Sequence, residues 1–221
     1  MSEVTVVLPA YNEEEAIGQV IDEIKALPVD CDILVVDNGS TDETYNILTY
    51  KDVRVITQPK KGKGNAMQLG FQLPKTRYVI MMNSDYTYPA EEIGRFIFYL
   101  ERGYDVVVGE RFWMEGNAMP GINSFGNKML SLLASTLYGY PILDVCSGMW
   151  GFSRHILDIF NITSEGFTLE ADLFVNSIKN HCNITQIPIH YRSRVENGQA
   201  KLKVKDGFKI GWFLVRNKWK R

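Results

Sequence analysis

The chain has 221 residues, of which 45% are hydrophobic, and a formal net charge of −2 at pH 7. This length can bury one substantial core and is too short for several full domains. No apolar run approaches the roughly 20 residues that a bilayer-spanning helix needs. We therefore expect any membrane association of the chain to be peripheral.

The cysteines and the first residues indicate a cytoplasmic protein. Cys31, Cys146 and Cys182 are odd in number and lack the spacing of metal ligands, which favours reduced thiols. Met1 leads directly into a predicted strand without a basic or apolar leader, so we expect no signal peptide.

The first half of the chain alternates predicted strands with predicted helices. Strand patterns cover 4–9, 33–36, 53–57, 76–85 with its polar tip, and 105–108, and helical patterns cover 13–27, 42–50, 66–71 and 89–100. Ser40 or Thr41 is expected to cap the second helix. This alternation predicts βαβ units, and therefore an α/β fold with a largely parallel sheet.

The second half has a different pattern, and we expect it to contact a second substrate. Its first segment, 112–122, is predicted to be an apolar loop. Helical patterns follow at 124–138, 154–160 and 169–179, and strand patterns at 149–152 and 184–191.

The basic charge of the chain is concentrated at its carboxyl end. Eight bases and one acid, Asp206, follow position 200, so the preceding residues carry a strongly negative balance. Between Gly207 and Trp219 the bases alternate with large apolar residues, as in helices that lie in a lipid interface. We therefore predict a body, 1–200, and a basic amphipathic tail, 201–221, that docks on a membrane. The alternatives are a helix packed on the body and a nucleic-acid contact, and we expect no nucleic-acid binding.

Polar and acidic residues follow three of the predicted strands, at 10–13, 37–42 and 83–85. The carboxyl ends of the strands form the ligand-binding edge of an open α/β sheet, so we expect these groups to converge. Asn83 and Asp85 alternate along the chain and can both offer oxygen ligands to Mg²⁺ or Mn²⁺. Such a cation would neutralise a diphosphate leaving group.

Two turns near this edge have a structural and a functional interpretation. Asp37 could form the turn at the strand exit, but Ser40 and Asp42 can serve that turn, so we favour ligand contact for Asp37. The lysine and glycine turn at 60–64 is either a phosphate cradle or a solvated turn, because it lacks the Walker spacing. The first strand is not followed by G-x-G-x-x-G, which argues against dinucleotide binding.

Charged residues in the second half are also open to two interpretations. Glu170 and Asp172 either interact with the start of a helix or face the second substrate. Arg111, Arg154 and Arg192 each follow a predicted strand, and arginine suits bidentate phosphate recognition. Arg111 is the strongest candidate because it lies beside a glycine at a strand end.

Six segments in combination resemble the family 2 glycosyltransferases. They are LPAYNE at 8–13, VVDNGSTD at 35–42, NSD at 83–85, GER at 109–111, DVCSGM at 144–149 and GQAKL at 198–202. Within that family the chain, over about 3–205, is most similar to dolichyl-phosphate mannose synthases and related polyprenyl-phosphate sugar transferases. The resemblance implies a GT-A fold, which is a Rossmann-like three-layer sandwich around a mostly parallel mixed sheet. It also implies a nucleotide-sugar donor, a polyprenyl or dolichyl phosphate acceptor, and inversion at the anomeric carbon.

The resemblance further implies roles for individual residues, with Asp85 and Arg111 as the catalytic pair. The nucleotide sugar would be held by Pro9, Tyr11, Glu13, Asp37, Asn83 and Ser84, the metal by Asp85 and Asn83, and the acceptor phosphate by Arg111, Arg192 and Lys201. The chain departs from the family at Asn83, where an aspartate is usual, and at Thr87, where a glutamine is usual. Both departures weaken the expected metal site.

The transferred sugar is the least determined feature. The segments 116–120 and 144–150 are similar to archaeal-type members that use UDP-sugars, which favours UDP-GlcNAc, with GDP-mannose and UDP-glucose as alternatives. A non-catalytic GT-A domain is a further alternative, supported by Asn83. A nucleotidyltransferase is disfavoured, because no glycine-rich basic loop follows the first strand. We expect the protein to act in glycosylation at the cytoplasmic face of a membrane.

Overall fold

One mixed sheet of seven strands lies at the centre of the computed structural model, which describes residues 2–116, 118–119, 121–195 and 204–219. The strands are β1 Val4–Ala10, β2 Cys31–Asp37, β3 Arg54–Thr57, β4 Tyr78–Met82, β5 Val106–Met114, β6 Met149–Ser153 and β7 Ile184–Tyr191. Their order is β3-β2-β1-β4-β6-β5-β7. Strand β6 is antiparallel to its neighbours β4 and β5, and the other pairs are parallel.

Helices cover both faces of this sheet. They are α1 Ile17–Lys25, α2 Thr44–Tyr50, α3 Lys63–Gln72, α4 Ile93–Glu101, α5 Gly121–Tyr138, α6 Arg154–Ile159, α7 Leu169–Lys179 and α8 Val204–Lys218, with a 3-10 turn at Ala90–Glu92. Alternate residues of β1 face opposite sides, so Val6 belongs to the core cluster that includes residues of α1 and α4, and Val7 to the cluster that includes residues of α3, α7 and α8. The predicted three-layer α/β architecture is confirmed.

Three local predictions are wrong. Strand β5 continues to Met114 because its residues beyond 108 pair with β7, so 112–114 are not loop. Helix α1 begins at Ile17 rather than at 13, after a turn. Helix α2 has no side-chain cap from Ser40, whose hydroxyl instead accepts the backbone N–H of Asn12 at 3.0 Å.

Helix α8, the described part of the predicted tail, packs on the body of the protein. Ile210 and Leu214 are buried in the core, and the hydroxyl of Tyr138 in α5 donates to the carbonyl of Leu214 at 2.9 Å. The packed-helix alternative is therefore present in the structure, and it leaves the opposite face of α8 outward. No helix among the described residues has the length and hydropathy of a membrane span.

Candidate active site

A cavity of about 450 Å³ opens at the carboxyl ends of β1, β4 and β5. These ends share one edge because the three strands run in the same direction. Eight of the residues predicted from sequence line it, namely Pro9, Tyr11, Glu13, Asn83, Ser84, Asp85, Arg111 and Glu170. A shallower depression of about 700 Å³ at the opposite end of the sheet contains none of the predicted site residues.

Asp85 lies in this cavity with both carboxylate oxygens engaged. Arg194 donates from Nε to Oδ2 at 3.1 Å and also contacts Oδ2 through Nη2 at 3.1 Å. The hydroxyl of Thr87 donates to Oδ1 at 2.6 Å. Burial alone would lower the pKa of Arg194, but the charge of Asp85, together with its hydrogen bond and the nearby Tyr191 and Glu13, raises the pKa above its ordinary value. Arg194 is therefore a permanent cation at the mouth of the cavity.

The donor set at Asp85 fits a divalent cation that is shared with a substrate. Mg²⁺ in proteins is usually bound through one or two carboxylates together with substrate phosphates, rather than by an all-protein cage. Asp85 supplies one such carboxylate in an open cavity, where a cation would compete with Arg194 and Thr87 for its oxygens. Asn83 does not fit as a second ligand in this arrangement, because its neutral amide oxygen lies 2.6 Å from the Lys63 ammonium, whose positive charge repels a cation. Among the described residues, no three His, Cys, Asp or Glu side chains cluster to hold a metal ion.

Lys63 forms a nearly buried charge cluster beside Asp85. Its ammonium contacts Asn83 Oδ1 and also forms a short ion pair with Glu170 Oε1. The side chains of Lys63 and Glu170 are only 13% and 10% exposed. Glu170 lies in the first turn of α7 and also lines the cavity, so both of its interpretations stay open.

Two glycines allow Lys63 to reach this position. A Cβ on Gly62 or Gly64 would lie 2.1 Å from the backbone carbonyl oxygen of Glu165 or Ser164 respectively. Gly62 also has a φ of +125°, which side chains rarely adopt. Only residues without a side chain let this turn pack so closely on the 164–166 loop. The turn therefore fixes Lys63 against the 164–166 loop, whereas Lys60 and Lys61 of the same turn are exposed to solvent.

Arg111 reaches the cavity as half of a buried ion pair. Its Nε and Nη2 donate to the two oxygens of Asp144, each at 2.6 Å, and its guanidinium lies 5.3 Å from the centre of the Tyr191 ring. Burial would lower the pKa of Arg111, but the adjacent Asp144 carboxylate raises it well above its ordinary value. Nη1 has no hydrogen-bond partner among the described residues, so it can donate to a bound anion.

Three of the predicted site residues lie away from the cavity lining. Asp37 accepts the N–H groups of Gly39 and Ser40, at 3.2 Å each, which is the turn-forming role that we disfavoured. Asp172 accepts backbone N–H groups of the 163–164 segment instead of facing a substrate. Arg192 pairs with Glu23 and is not among the residues that line the cavity.

These placements do not support a substrate contact for Asp172 or Arg192, and their predicted roles stay predictions. Lys201, the third predicted acceptor-phosphate residue, lies outside the described residues.

Cys146 also lines the cavity, but its thiol is a poor nucleophile. Burial, with a smaller contribution from the charge of Asp144, raises its pKa to about 12. The thiol is therefore protonated at neutral pH, and covalent catalysis through this residue is disfavoured.

Sequence reasoning missed three charged residues of the site. Arg194 follows β7 two positions after Arg192. Only the path of the backbone after β7 determines that Arg194, and not Arg192, contacts Asp85. Lys63 lies in the turn at 60–64, which the sequence alone could not assign as a phosphate cradle or as a solvated turn. Asp144 lies in a quoted motif, yet its pairing with Arg111 depends on a contact between residues 33 positions apart.

Comparisons with known proteins agree with this geometry. The family model described as glycosyl transferase family 2 matches residues 5–160. A dolichyl-phosphate hexose transferase from Haloferax volcanii is 34% identical over 90% of this chain and 86% of its own length. An undecaprenyl-phosphate 4-deoxy-4-formamido-L-arabinose transferase from Pseudomonas fluorescens is 28% identical over 90% of this chain and 59% of its own length. Among solved structures, a Mycobacterium tuberculosis glucosyl-3-phosphoglycerate synthase with Mn²⁺, UDP-glucose and phosphoglyceric acid superposes with a TM-score of 0.78 at 22% identity, covering 98% of this chain and 78% of that one.

Proposed function

The chain belongs to glycosyl transferase family 2 and is a glycosyltransferase, and from this premise we propose that it transfers a hexose or N-acetylhexosamine from a nucleotide sugar to polyprenyl or dolichyl phosphate. The observation that carries the proposal is the single cavity lined by Asp85, Arg194 and Arg111. It offers a carboxylate for a cation-bound diphosphate and two guanidinium groups for phosphates. Both substrates of such a transfer are phosphate esters, so this charge arrangement suits them.

The chemistry needs little from a general base. A phosphate monoester is largely a dianion at neutral pH, because its second pKa is about 6. One of its oxygens attacks the anomeric carbon while the bond from that carbon to the nucleoside diphosphate breaks, which inverts the configuration. Arg111 holds the attacking phosphate through its free Nη1, and Asp144 fixes the plane of that guanidinium. A bound Mg²⁺ or Mn²⁺ would supply neutralisation of the leaving diphosphate.

For the donor, we favour UDP-GlcNAc, with UDP-glucose and GDP-mannose as the alternatives. The support is the similarity of 116–120 and 144–150 to archaeal-type members, together with the archaeal origin of the Haloferax volcanii relative. Physical chemistry does not separate these sugars, since they differ in one or two substituents. The acceptor proposal is supported by the names of two relatives, which act on dolichyl and undecaprenyl phosphates.

We propose further that the protein sits peripherally on the cytoplasmic face of the membrane that carries its acceptor. Helices α5 and α8 pack against each other, and each presents exposed apolar residues at helical spacing. On α5 these are Ile122, Phe125, Met129 and Leu132, and on α8 they are Phe208, Trp212 and Val215, followed by Trp219. We call these eight residues the apolar face. The one acid of α5 and α8, Asp206, is buried, while exposed bases accompany the apolar residues, as expected for an anionic lipid surface.

A donor-by-acceptor panel tests the function. Radiolabelled UDP-GlcNAc, UDP-glucose and GDP-mannose are each incubated with a short polyprenyl phosphate and with the corresponding alcohol. We expect transfer from one donor, dependent on a divalent cation, to the phosphate and not to the alcohol. Failure with every donor, in a protein that still binds nucleotide, would favour the non-catalytic alternative.

A further inference from the structure

The Lys63 cluster has a donor group that is not used within the protein. A lysine ammonium carries three N–H donors, and Lys63 gives one to Asn83 and one to Glu170. No third partner is present among the described residues. A nearly buried ammonium with an unused donor is unfavourable unless water or a ligand completes it, and an anionic ligand can displace that water. Because Lys63 lines the cavity, that ligand would bind inside it.

The neighbours of Lys63 leave its cluster neutral rather than negative. The carboxylate of Glu170 offsets the single positive charge of the ammonium. The second partner, Asn83, is a neutral amide and adds no charge. An aspartate in the place of Asn83 would put two carboxylates on one ammonium and change the net charge of the cluster from zero to −1. Gly148 helps to fix the amide, since a Cβ there would lie 2.4 Å from Asn83 Nδ2. The neutral side chain at 83 is therefore held rigidly in contact with the lysine.

Position 83 also lies two residues before Asp85, on the same strand exit. A diphosphate that shares a cation with Asp85 would pass close to the end of β4, where Asn83 presents Lys63. Anionic oxygens form short, strong hydrogen bonds with ammonium groups. The free donor of Lys63 matches such an oxygen in charge and in hydrogen-bonding type.

Resting on the proposed function, we propose that Lys63 is a built-in cation that binds the diphosphate of the donor, and that Asn83 preserves its charge, so that nucleoside diphosphate binds without a metal ion. Glu170 is a positioning residue that holds the ammonium toward the cavity. The neutral Asn83 therefore weakens metal binding but leaves the Lys63 ammonium available to the diphosphate. This accounts physically for the loss of a carboxylate from the predicted metal site.

Binding measurements without turnover test this proposal. The affinities for UDP and GDP are measured by calorimetry in EDTA for the unmodified protein, Lys63→Gln, Lys63→Arg and the matched control Lys60→Gln. Lys60 lies in the same turn but pairs with the exposed Glu165 and does not line the cavity. We expect Lys63→Gln to weaken the binding in EDTA at least about tenfold, Lys63→Arg to retain most of it, and Lys60→Gln to change it less than about twofold. Equal affinities of the Lys63→Gln and Lys60→Gln proteins would overturn the proposal.

Asn83→Asp gives a second test whose two readouts move in opposite directions. The new carboxylate should weaken UDP binding in EDTA, because it makes the Lys63 cluster negative, and strengthen Mn²⁺ binding, measured by electron paramagnetic resonance. A purely structural role of Asn83 would weaken both. Unchanged or tighter UDP binding in EDTA would also contradict the proposal, and this test stands even if Lys63→Gln does not fold.

The unmodified protein separates this proposal from the proposed function. Binding of UDP or GDP with Mn²⁺ but not in EDTA would overturn only the role of Lys63. Binding of neither nucleotide under either condition would overturn the proposed function as well.

Discussion

Arg111 and Asp144 show how a single residue contact connects stability with substrate binding. Both side chains are almost fully buried, at 10% and 4% exposed, so each charge depends on the other. Removal of one partner of a buried ion pair leaves an uncompensated charge, which is far more costly than loss of a surface pair. The same pairing orients the guanidinium that we assign to the acceptor phosphate. Asp144 therefore acts on the substrate only through Arg111.

We predict that Asp144→Asn lowers the free energy of unfolding by about 3 kcal/mol or more, because Arg111 loses its countercharge. In the folded fraction, the KM for polyprenyl phosphate should rise while the affinity for UDP stays the same. Urea denaturation and steady-state kinetics measure these two effects.

The matched control for this variant is Asp158→Asn, which breaks the i,i+4 pair between Arg154 and Asp158 on the surface of α6. It should cost less than about 1 kcal/mol. Equal losses of stability in the two variants would contradict the buried-pair interpretation.

At the scale of elements, the start of α3 is defined by its packing against the 164–166 loop. The backbone N–H of Asn65 donates to the carbonyl of Glu165 at 3.1 Å, and Gly64 packs directly on the carbonyl of Ser164. The intrinsic preference of helices for alanine over glycine is thus reversed at this position. Helix α3 begins at Lys63, so the placement of its first turn affects both the stability of the protein and the position of Lys63 in the cavity.

A pair of glycine substitutions tests this packing. We predict that Gly64→Ala destabilises the protein by about 1–3 kcal/mol, because its Cβ would overlap a backbone oxygen that cannot move freely. Gly94, also the second residue of its helix, α4, has no atom within 4 Å of the position of an added Cβ. There, alanine should stabilise the protein by about 0.5–1 kcal/mol. Thermal unfolding gives both values, and shifts of the same sign would contradict the packing argument.

At the scale of the whole molecule, the cavity and the apolar face of α5 and α8 lie within one domain. Ile210 of α8 lines the cavity, so the helix that carries part of the apolar face also borders the site. A lipid-linked acceptor has a charged phosphate and an apolar chain, and these two parts need adjacent surfaces of different chemistry. The arrangement therefore favours an enzyme that takes its acceptor from the membrane surface.

We predict that Phe208→Ser combined with Trp212→Ser weakens binding to vesicles containing anionic lipid at least about tenfold, since each side chain buries large apolar area in the interface. Phe125→Ser on α5 should weaken it further. Co-sedimentation measures the binding, and a rise in ionic strength should reduce it.

The control is Tyr50→Ser, which removes an aromatic residue at the end of α2 that is even more exposed than Phe208 and Trp212. Transfer to a short soluble acceptor should persist in every variant. Vesicle binding unchanged by the Phe208 and Trp212 substitutions would contradict membrane docking through this face.

The sequence predicts the positions of the strands and of the cavity better than it predicts the contacts between side chains. Apolar runs located the strands, and their polar exits located the cavity, because both follow from local periodicity and sheet direction. The partner of Arg111 and the choice between Arg192 and Arg194 depend on the relative positions of distant segments. Asp37 shows the remaining difficulty, since a turn-forming and a ligand-binding aspartate have the same local sequence.

The ends of strands and the buried faces of helices were harder to predict for a related reason. Strand β5 extends through Phe112 and Trp113 because β7 pairs with it, and a sequence pattern contains no information about the neighbouring strand. Helix α8 was recognised as amphipathic, but both its faces carry apolar residues. Only packing distinguishes the buried Ile210 from the exposed Trp212.

The central claim is that sugar transfer occurs in the cavity at Asp85, and transfer of radiolabelled sugar to polyprenyl phosphate by Asp85→Ala tests it most directly. Asp32→Ala, at the opposite end of the sheet, is the control. We predict that Asp85→Ala lowers the transfer rate at least about a hundredfold, while the control keeps the rate of the unmodified protein. An Asp85→Ala protein that transfers sugar as fast as the control would contradict the account.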